Sequence, residues 1–261
     1  KTRSYRDSLW RRSLDEFVYE EYAREDYFYG EEDNYKSDEY SPIFPIGTDL
    51  QDDPLAILMG KPWFEREVLI LSKYAVLDDS LGFDEAPDFL SIGLSSMDWI
   101  IHSYGPFSQE AMDACIKLDT YLGDFIEFLD DHVGLDNVLF ALTADHGGLP
   151  LPEYLVAGGQ KAGRINKNHF EEALTWIDEE VEEKFGKKLY RRDGGNFFLN
   201  KQKIKDSNVQ PKNIYKIISK YLTKVEGIER MVIKEDILGG EDTTTISNRL
   251  ANMIHPDLTP E

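Results

Sequence analysis

The sequence predicts an α/β fold, a three-layer sandwich in which helices flank a mostly parallel central sheet. Three observations support this prediction. Residues 88–95 form a short apolar segment typical of a strand, residues 108–133 have the apolar spacing of a long helix, and residues 138–143 are apolar on both faces, like a buried strand. A strand, a crossover helix and a second strand of these lengths form a βαβ unit with parallel strands.

The helices of this region follow from the spacing of their apolar residues. Residues 63–77 predict a helix, and residues 108–133 predict a longer one that ends at Gly134. The predicted inward face of the first helix consists of Phe64, Val68, Leu71 and Ala75. The stripe of the second consists of Ala111, Cys115, Leu118, Leu122, Phe125 and Leu129. We therefore expect Cys115 to be a structural core residue rather than a reactive thiol.

The elements after residue 150 are predicted to be shorter and less regular. Amphipathic helices are expected at 170–185, ending at Gly186, and at 211–225. Short strands are expected at 196–200 and 230–233, followed by a helix that begins near Asp242.

The chain of 261 residues carries 29 basic and 50 acidic residues, a formal charge of −21. This charge argues against nucleic-acid binding, which needs surplus Lys and Arg, and against binding to anionic lipid. No apolar run approaches the about 20 residues that span a bilayer. A single cysteine excludes an internal disulfide framework and a Cys-rich zinc site.

Residues 1–60 differ in composition from the rest of the chain. Residues 13–53 hold 14 acidic and two basic residues together with nine aromatic residues, and no stable period runs through them. We predict an irregular acidic region at 1–60, anchored by its rings and in a position to act as a cap or lid, followed by a catalytic domain over 61–261. The chain begins without an initiator Met or an apolar leader, so no signal peptide is visible, and we expect a processed or excised piece.

Two Asp/His pairs are the candidate metal ligands. Asp98 and His102 follow the strand predicted at 88–95, and a helical turn there would place both side chains on one face. Asp145 and His146 follow the strand predicted at 138–143 and precede two glycines. Each pair has a structural alternative: an incidental helical spacing for the first, and a capped turn at a strand end for the second.

The two pairs are more informative together, because functional residues of open α/β sheets gather at the carboxyl ends of strands. Parallel neighbouring strands would bring both pairs to the same edge of the sheet. An oxygen and a nitrogen ligand from each pair suit zinc or manganese, and two adjacent metal ions are a common arrangement for phosphoryl transfer.

Several motifs between residues 87 and 152 resemble the alkaline phosphatase superfamily, and in particular its type I phosphodiesterase/nucleotide pyrophosphatase branch, which includes phosphate-irrepressible alkaline phosphatases. They are Pro87-Asp88-Phe89-Leu90, Ser95-Ser96-Met97-Asp98 with His102 and Gly105-Pro106, Leu118-Asp119, Leu129-Asp130, and Thr143-Ala144-Asp145-His146-Gly147. The resemblance implies an alkaline-phosphatase-like sandwich and a two-zinc site, with Asp98 and His102 on one ion and Asp145 and His146 on the other. It also implies small-molecule phosphate ester substrates, a covalent phosphoenzyme, and a periplasmic or secreted location.

The sequence lacks other parts that the resemblance implies. The Thr or Ser nucleophile and a further Asp ligand are expected upstream, and Thr48 has no strand with an Asp before it. A third histidine ligand is expected downstream, and His255 falls short of that place. The catalytic nucleophile is therefore unassigned, and we expect this partial catalytic domain to be nearly inactive alone.

Two other functions remain open on these residues. Sulfatases, phosphoglycerate mutase-like enzymes and phosphoethanolamine transferases of the same superfamily share the metal ligands and differ in nucleophile and pocket. A non-catalytic binding or assembly module with a vestigial metal site is the alternative outside enzymology.

Overall fold

The computed structural model describes residues 5, 8–31, 42–47, 58–240 and 244–254. The chain divides into two compact units, an N-terminal unit of residues 1–162 and a C-terminal unit of residues 163–261. No helix in the described ranges is long and apolar enough to cross a membrane. The predicted boundary near residue 60 stays a prediction.

The N-terminal unit consists mainly of helices. Its elements are β1 (Leu9–Trp10), α1 (Glu16–Tyr22), β2 (Ile46–Gly47), α2 (Trp63–Asp78), α3 (Ser96–Tyr104), α4 (Gln109–His132), a single 3₁₀ turn (Leu135–Asn137) and α5 (Pro152–Ala157). The strands β1 and β2 are antiparallel, with Trp10 opposite Ile46. Trp10 and Ile46 are fully buried in a cluster with Phe44, Ile100 and Tyr104, so Trp10 and Phe44 anchor this part of the chain.

Helix α2 spans the predicted residues, but its predicted inward face is wrong. The buried residues are Glu65, Leu69, Ser72 and Val76, whereas Leu71 is exposed. Apolar residues occur all round this helix, and their period does not say which stripe meets the core. Packing of Leu69 and Val76 against Phe125 and Leu129 of α4 decides it.

Helix α4 begins as predicted after Ser108, whose hydroxyl accepts a hydrogen bond from the Ala111 N–H at 3.0 Å. The prediction for Cys115 is wrong, because this residue is exposed. The first half of α4 instead buries polar residues. Asp113 is fully buried and accepts hydrogen bonds from Trp10 at 2.5 Å and from Tyr19 at 2.6 Å. Other members of the predicted stripe, Ala111, Phe125 and Leu129, are buried, so the prediction fails at Cys115 and not along the whole helix.

The segments 88–95 and 138–143, predicted as the two central strands, form no strand pairing with any described residue. Their large apolar side chains are exposed, with Phe89 at 91% and Leu139 at 96% of full exposure. The predicted parallel βαβ pairing is therefore not formed in the described part of the chain. A strand is stable only when a neighbour accepts and donates its backbone hydrogen bonds, and these segments have no such neighbour here.

The C-terminal unit combines helices with one β-hairpin. Its elements are α6 (Lys167–Phe185), β3 (Tyr190–Asp193), β4 (Asn196–Leu199), α7 (Lys201–Asp206), α8 (Pro211–Leu222), α9 (Lys234–Leu238) and α10 (Thr245–Met253). Helices α6 and α8 pack together, and Ile177, Val181, Ile214 and Ile218 between them are fully buried. This unit has one continuous apolar core.

The C-terminal elements agree with most of the predictions. Helix α6 ends at Gly186, which adopts φ +75, as the helix-stop pattern predicts. Strand β4 is found, and its partner β3, which the sequence analysis did not predict, joins it in an antiparallel hairpin. The strand predicted at 230–233 is wrong, because the described residues offer it no partner and α9 starts directly after it.

Candidate functional site

Helix α3 carries the first Asp/His pair. Asp98 and His102 lie one turn apart, with 3.5 Å between Asp98 Oδ1 and His102 Nε2, and both side chains are exposed to solvent. The start of the helix is held by Glu65 of α2, whose buried carboxylate accepts a hydrogen bond from the Ser96 N–H at 2.5 Å. Burial raises the pKa of Glu65, while the backbone N–H groups around Ser96 oppose that rise. Glu65 therefore links the helix that bears the donors to α2.

The second pair lies in the irregular turn that follows residues 138–143. The backbone N–H of His146 donates to Asp145 Oδ1 at 3.1 Å, so the Asp side chain fixes the turn locally. His146 Nε2 lies 3.5 Å from Asp145 Oδ2 and 3.8 Å from Asp98 Oδ1. The turn thus brings its histidine beside the carboxylate of α3.

All four predicted site residues lie in one continuous cluster, with Asp98 between the two histidines. Two ligands bound to one tetrahedral zinc at about 2.0–2.1 Å lie about 3.4 Å apart, so a separation of 3.5 Å within each pair is compatible with a shared ion. Within the described ranges, no three His, Cys, Asp or Glu side chains are grouped to hold one ion. The donors therefore fit a metal in chemistry and in pairwise spacing, with two ligands per pair.

The candidate residues outside this cluster fall on parts of the chain that the structure does not describe. Thr48, which lacked the expected context for a nucleophile, and His255, a candidate third ligand, both lie outside the described residues.

Sequence reasoning missed two contacts that shape the cluster. One is the bond from Glu65 to the start of α3. The other is the close approach of Gly148 to Ile101, where a Cβ atom added to the glycine would lie 2.6 Å from Ile101 Cγ2. No local pattern marks either contact, because each joins residues from separate elements.

A large cavity lies elsewhere, in the C-terminal unit. It has a volume of about 1200 Å³, and apolar residues such as Phe197, Leu199, Ile218 and Ile237 line much of it. It contains no histidine and none of the four donors. Cavity size and side-chain chemistry therefore indicate different places for the functional site. The donor cluster is the better candidate because it has groups able to bind an ion or move a proton.

The solved structure of alkaline phosphatase PafA has the same fold as this chain. The TM-score is 0.75 at 24% sequence identity, and the match covers 97% of this chain and 48% of the PafA chain. The predicted alkaline-phosphatase-like α/β fold is confirmed by this match.

The sequence comparisons agree with the fold. Residues 8–249 match the family model of type I phosphodiesterase / nucleotide pyrophosphatase. The chain therefore belongs to this family of phosphoric ester hydrolases, and the resemblance read from its motifs is confirmed.

Two curated relatives are alkaline phosphatases. PafA of Elizabethkingia meningoseptica is 26% identical over 217 residues, which are 81% of this chain and 39% of that protein. PhoV of Synechococcus elongatus is 37% identical over 100 residues, which are 38% of this chain and 18% of that protein. The chain thus spans less than half the length of these relatives, in agreement with the prediction of a partial catalytic domain.

Proposed function

We propose that this chain forms the metal-binding part of an enzyme that hydrolyses phosphate esters. The observation that carries the proposal is the meeting of Asp98 with both His102 and His146, which come from a helix and from a separate turn. Family membership supports the reaction class, and the exposed donor cluster supports the location of the chemistry.

The metals proposed are two zinc ions. Asp98 and His102 would hold one, and Asp145 and His146 the other, each pair giving one carboxylate oxygen and one imidazole nitrogen. When bound, such ions supply Lewis acidity toward phosphoryl oxygens and activate a nucleophile. The resemblance adds a covalent phosphoenzyme on a Thr or Ser, and that nucleophile is unassigned in this chain.

The charge of the N-terminal unit supports cation binding at this cluster. Residues 163–261 hold 17 basic and 17 acidic residues, so the whole formal charge of −21 belongs to residues 1–162. This field favours divalent cations and opposes the approach of a phosphate ester. Substrate binding in this proposal therefore depends on a metal-loaded cluster.

The proposed substrates are small-molecule phosphate esters, and the proposed location is periplasmic or secreted. Because each pair supplies only two ligands, we expect this chain alone to bind zinc more weakly than a complete four-coordinate site does. We also expect it to turn over substrate slowly or not at all.

Metal content measured by plasma emission tests the proposal. The chain is dialysed against micromolar zinc and compared with Asp145→Ala/His146→Ala. The matched control is Asp131→Ala/His132→Ala, which removes another adjacent Asp-His pair at the end of α4. We expect the first variant to lose bound zinc and the control to retain it.

An equal zinc content in all three proteins would contradict the metal site. So would a lack of bound zinc in both the unsubstituted chain and the full-length protein. Hydrolysis of p-nitrophenyl phosphate, its bis-ester and a sulfate ester by the full-length protein then separates a phosphatase or phosphodiesterase from a sulfatase. A full-length protein that binds zinc and cleaves none of these esters would favour the binding-module alternative.

A further inference from the structure

We propose that Gly148 is a positioning residue whose missing side chain lets the Asp145-His146 turn lie against α3. The inference rests on the proposed function, because it concerns how the two halves of the candidate metal site are held together. It assigns a specific role to the second of the two glycines after His146.

The role follows from a close approach and not from an unusual backbone conformation. A Cβ atom on Gly148 would lie 2.6 Å from Ile101 Cγ2 and 3.3 Å from Ile101 Cδ1. Carbon atoms in contact normally lie about 3.5–4.0 Å apart, so an alanine there would overlap the isoleucine. The φ angle of Gly148 lies outside the left-handed range, so backbone freedom is not what requires glycine.

The position of Ile101 makes this contact relevant to the donors. Ile101 lies in α3 directly before His102 and within the turn that begins at Asp98. It also packs against the buried cluster that contains Ile100, Tyr104 and Trp10. An isoleucine held from behind cannot readily move inward, so a side chain at position 148 would push the turn outward instead.

Outward movement would separate the donors of the two pairs. His146 Nε2 lies 3.8 Å from Asp98 Oδ1 across this contact. Asp145 and His146 would move together with the turn, away from the ligands that the rest of the full-length protein gives to the same ion. Because metal–ligand distances tolerate changes of only about 0.2 Å, a shift much smaller than the overlap is enough to weaken zinc binding. Substitution of residues that orient metal ligands typically costs about 10–100-fold in affinity.

The neighbouring glycine offers a matched control. A Cβ atom on Gly147 would have no heavy atom within 4 Å. Gly147→Ala therefore makes the same chemical change one residue away without the overlap. Ile101→Ala combined with Gly148→Ala supplies the reverse test, because it removes the methyl group that a side chain at position 148 would meet.

The first measurement is zinc affinity by calorimetric titration of the full-length protein and its variants. We expect Gly148→Ala to weaken zinc binding by about tenfold or more, and Gly147→Ala to change it by less than about twofold. We expect Ile101→Ala/Gly148→Ala to bind more tightly than Gly148→Ala alone. Equal effects of the two glycine substitutions, or no recovery in the double variant, would overturn the proposal.

The second measurement needs no metal. Nuclear Overhauser contacts from the Ile101 methyl groups to the backbone protons of residue 148 and to the His146 ring report the packing of the turn on α3. Gly148→Ala should weaken the contacts to His146 while the rest of the amide spectrum stays unchanged, and contacts that persist would overturn the proposal. An absence of zinc binding in the unsubstituted protein would sink the proposed metal site, and these contacts would still decide the role of Gly148.

Discussion

The two units of this chain differ in the burial of their apolar residues and in their net charge. The C-terminal unit has equal numbers of acidic and basic residues, and one continuous core joins α6, α8 and the β3–β4 hairpin. The N-terminal unit carries the whole net charge, buries several ionisable groups and leaves the apolar segments 88–95 and 138–143 exposed. The unit with the candidate chemistry is therefore the one that carries the net charge and leaves apolar segments exposed.

The buried ionisable groups of the N-terminal unit show this most clearly. Glu110 is fully buried, and among the described residues neither of its carboxylate oxygens has a hydrogen-bond partner. Burial, with a further contribution from the charge of Glu31, raises the pKa of Glu110 to about 8. Burial also lowers the pKa of Lys61 to about 7, although the charge of Glu110 opposes this change.

The largest effect on the free energy of unfolding is expected for a substitution in the core of the C-terminal unit. Ile218→Ala removes a fully buried side chain between α6 and α8 and should lower the free energy of unfolding by about 2–5 kcal/mol. Leu142→Ala, at a side chain that is 83% exposed, should change it by less than about 0.5 kcal/mol. Denaturant unfolding, with hydrogen exchange to locate the change, measures both. A large cost for Leu142→Ala would erase the contrast between the units.

An intermediate effect on the free energy of unfolding is expected from the ionisation of Glu110 in the N-terminal unit. Because the folded-state pKa of Glu110 is raised from 4.5 to about 8, folding opposes its ionisation, and stability should fall as the pH rises through that interval. Glu110→Gln removes this ionisation and should stabilise the unit at pH 8 by about 1–3 kcal/mol, with little effect at pH 4. Thermal unfolding followed from pH 4 to 8 provides the test. Parallel pH profiles for the two proteins would show that Glu110 is solvated.

Lys61 should make the stability of the N-terminal unit rise with pH, at higher pH than the fall caused by Glu110. Since its folded-state pKa is lowered from 10.5 to about 7, stability should recover as the pH rises from 7 toward 10.5. The lowest stability of the N-terminal unit is therefore expected near pH 7–8, and Lys61→Met should flatten the rise above that range. A profile that keeps falling to pH 10 would contradict this expectation.

The smallest effect on the free energy of unfolding is expected in the C-terminal unit. There, a partly buried carboxylate should make the unit less stable as the pH falls, opposite to the effect of Glu110. Burial raises the pKa of Asp178, but hydrogen bonds from Lys188 at 2.7 Å and Tyr190 at 2.5 Å outweigh it, so the net pKa is lowered. This contribution is complete above about pH 4 and is lost as the pH falls through the lowered pKa. Asp178→Asn should cost about 1 kcal/mol or less at pH 7, because the group is partly exposed, and it should cost less at pH 2. Equal costs at both pH values would rule out an electrostatic origin.

The longer helices and the shared helix face of Asp98 and His102 could be predicted from the sequence because their signals are local. Ser108 caps α4, Gly186 ends α6, and Asp98 and His102 share a helix face through their spacing alone. The motifs around these residues also led to the family that the comparisons confirm. Such features depend on neighbours within a few positions, so one sequence is enough to find them.

Only the tertiary structure decided which faces are buried and which segments meet. Leu71 and Cys115 fit apolar stripes yet are exposed, because partners distant in sequence bury Leu69 and Asp113 instead. The approach of His146 to Asp98 likewise joins residues from a turn and from a helix, which no local pattern predicts. Helix periodicity and capping are short-range effects of the backbone, whereas burial and strand pairing depend on what the rest of the polypeptide places opposite each segment.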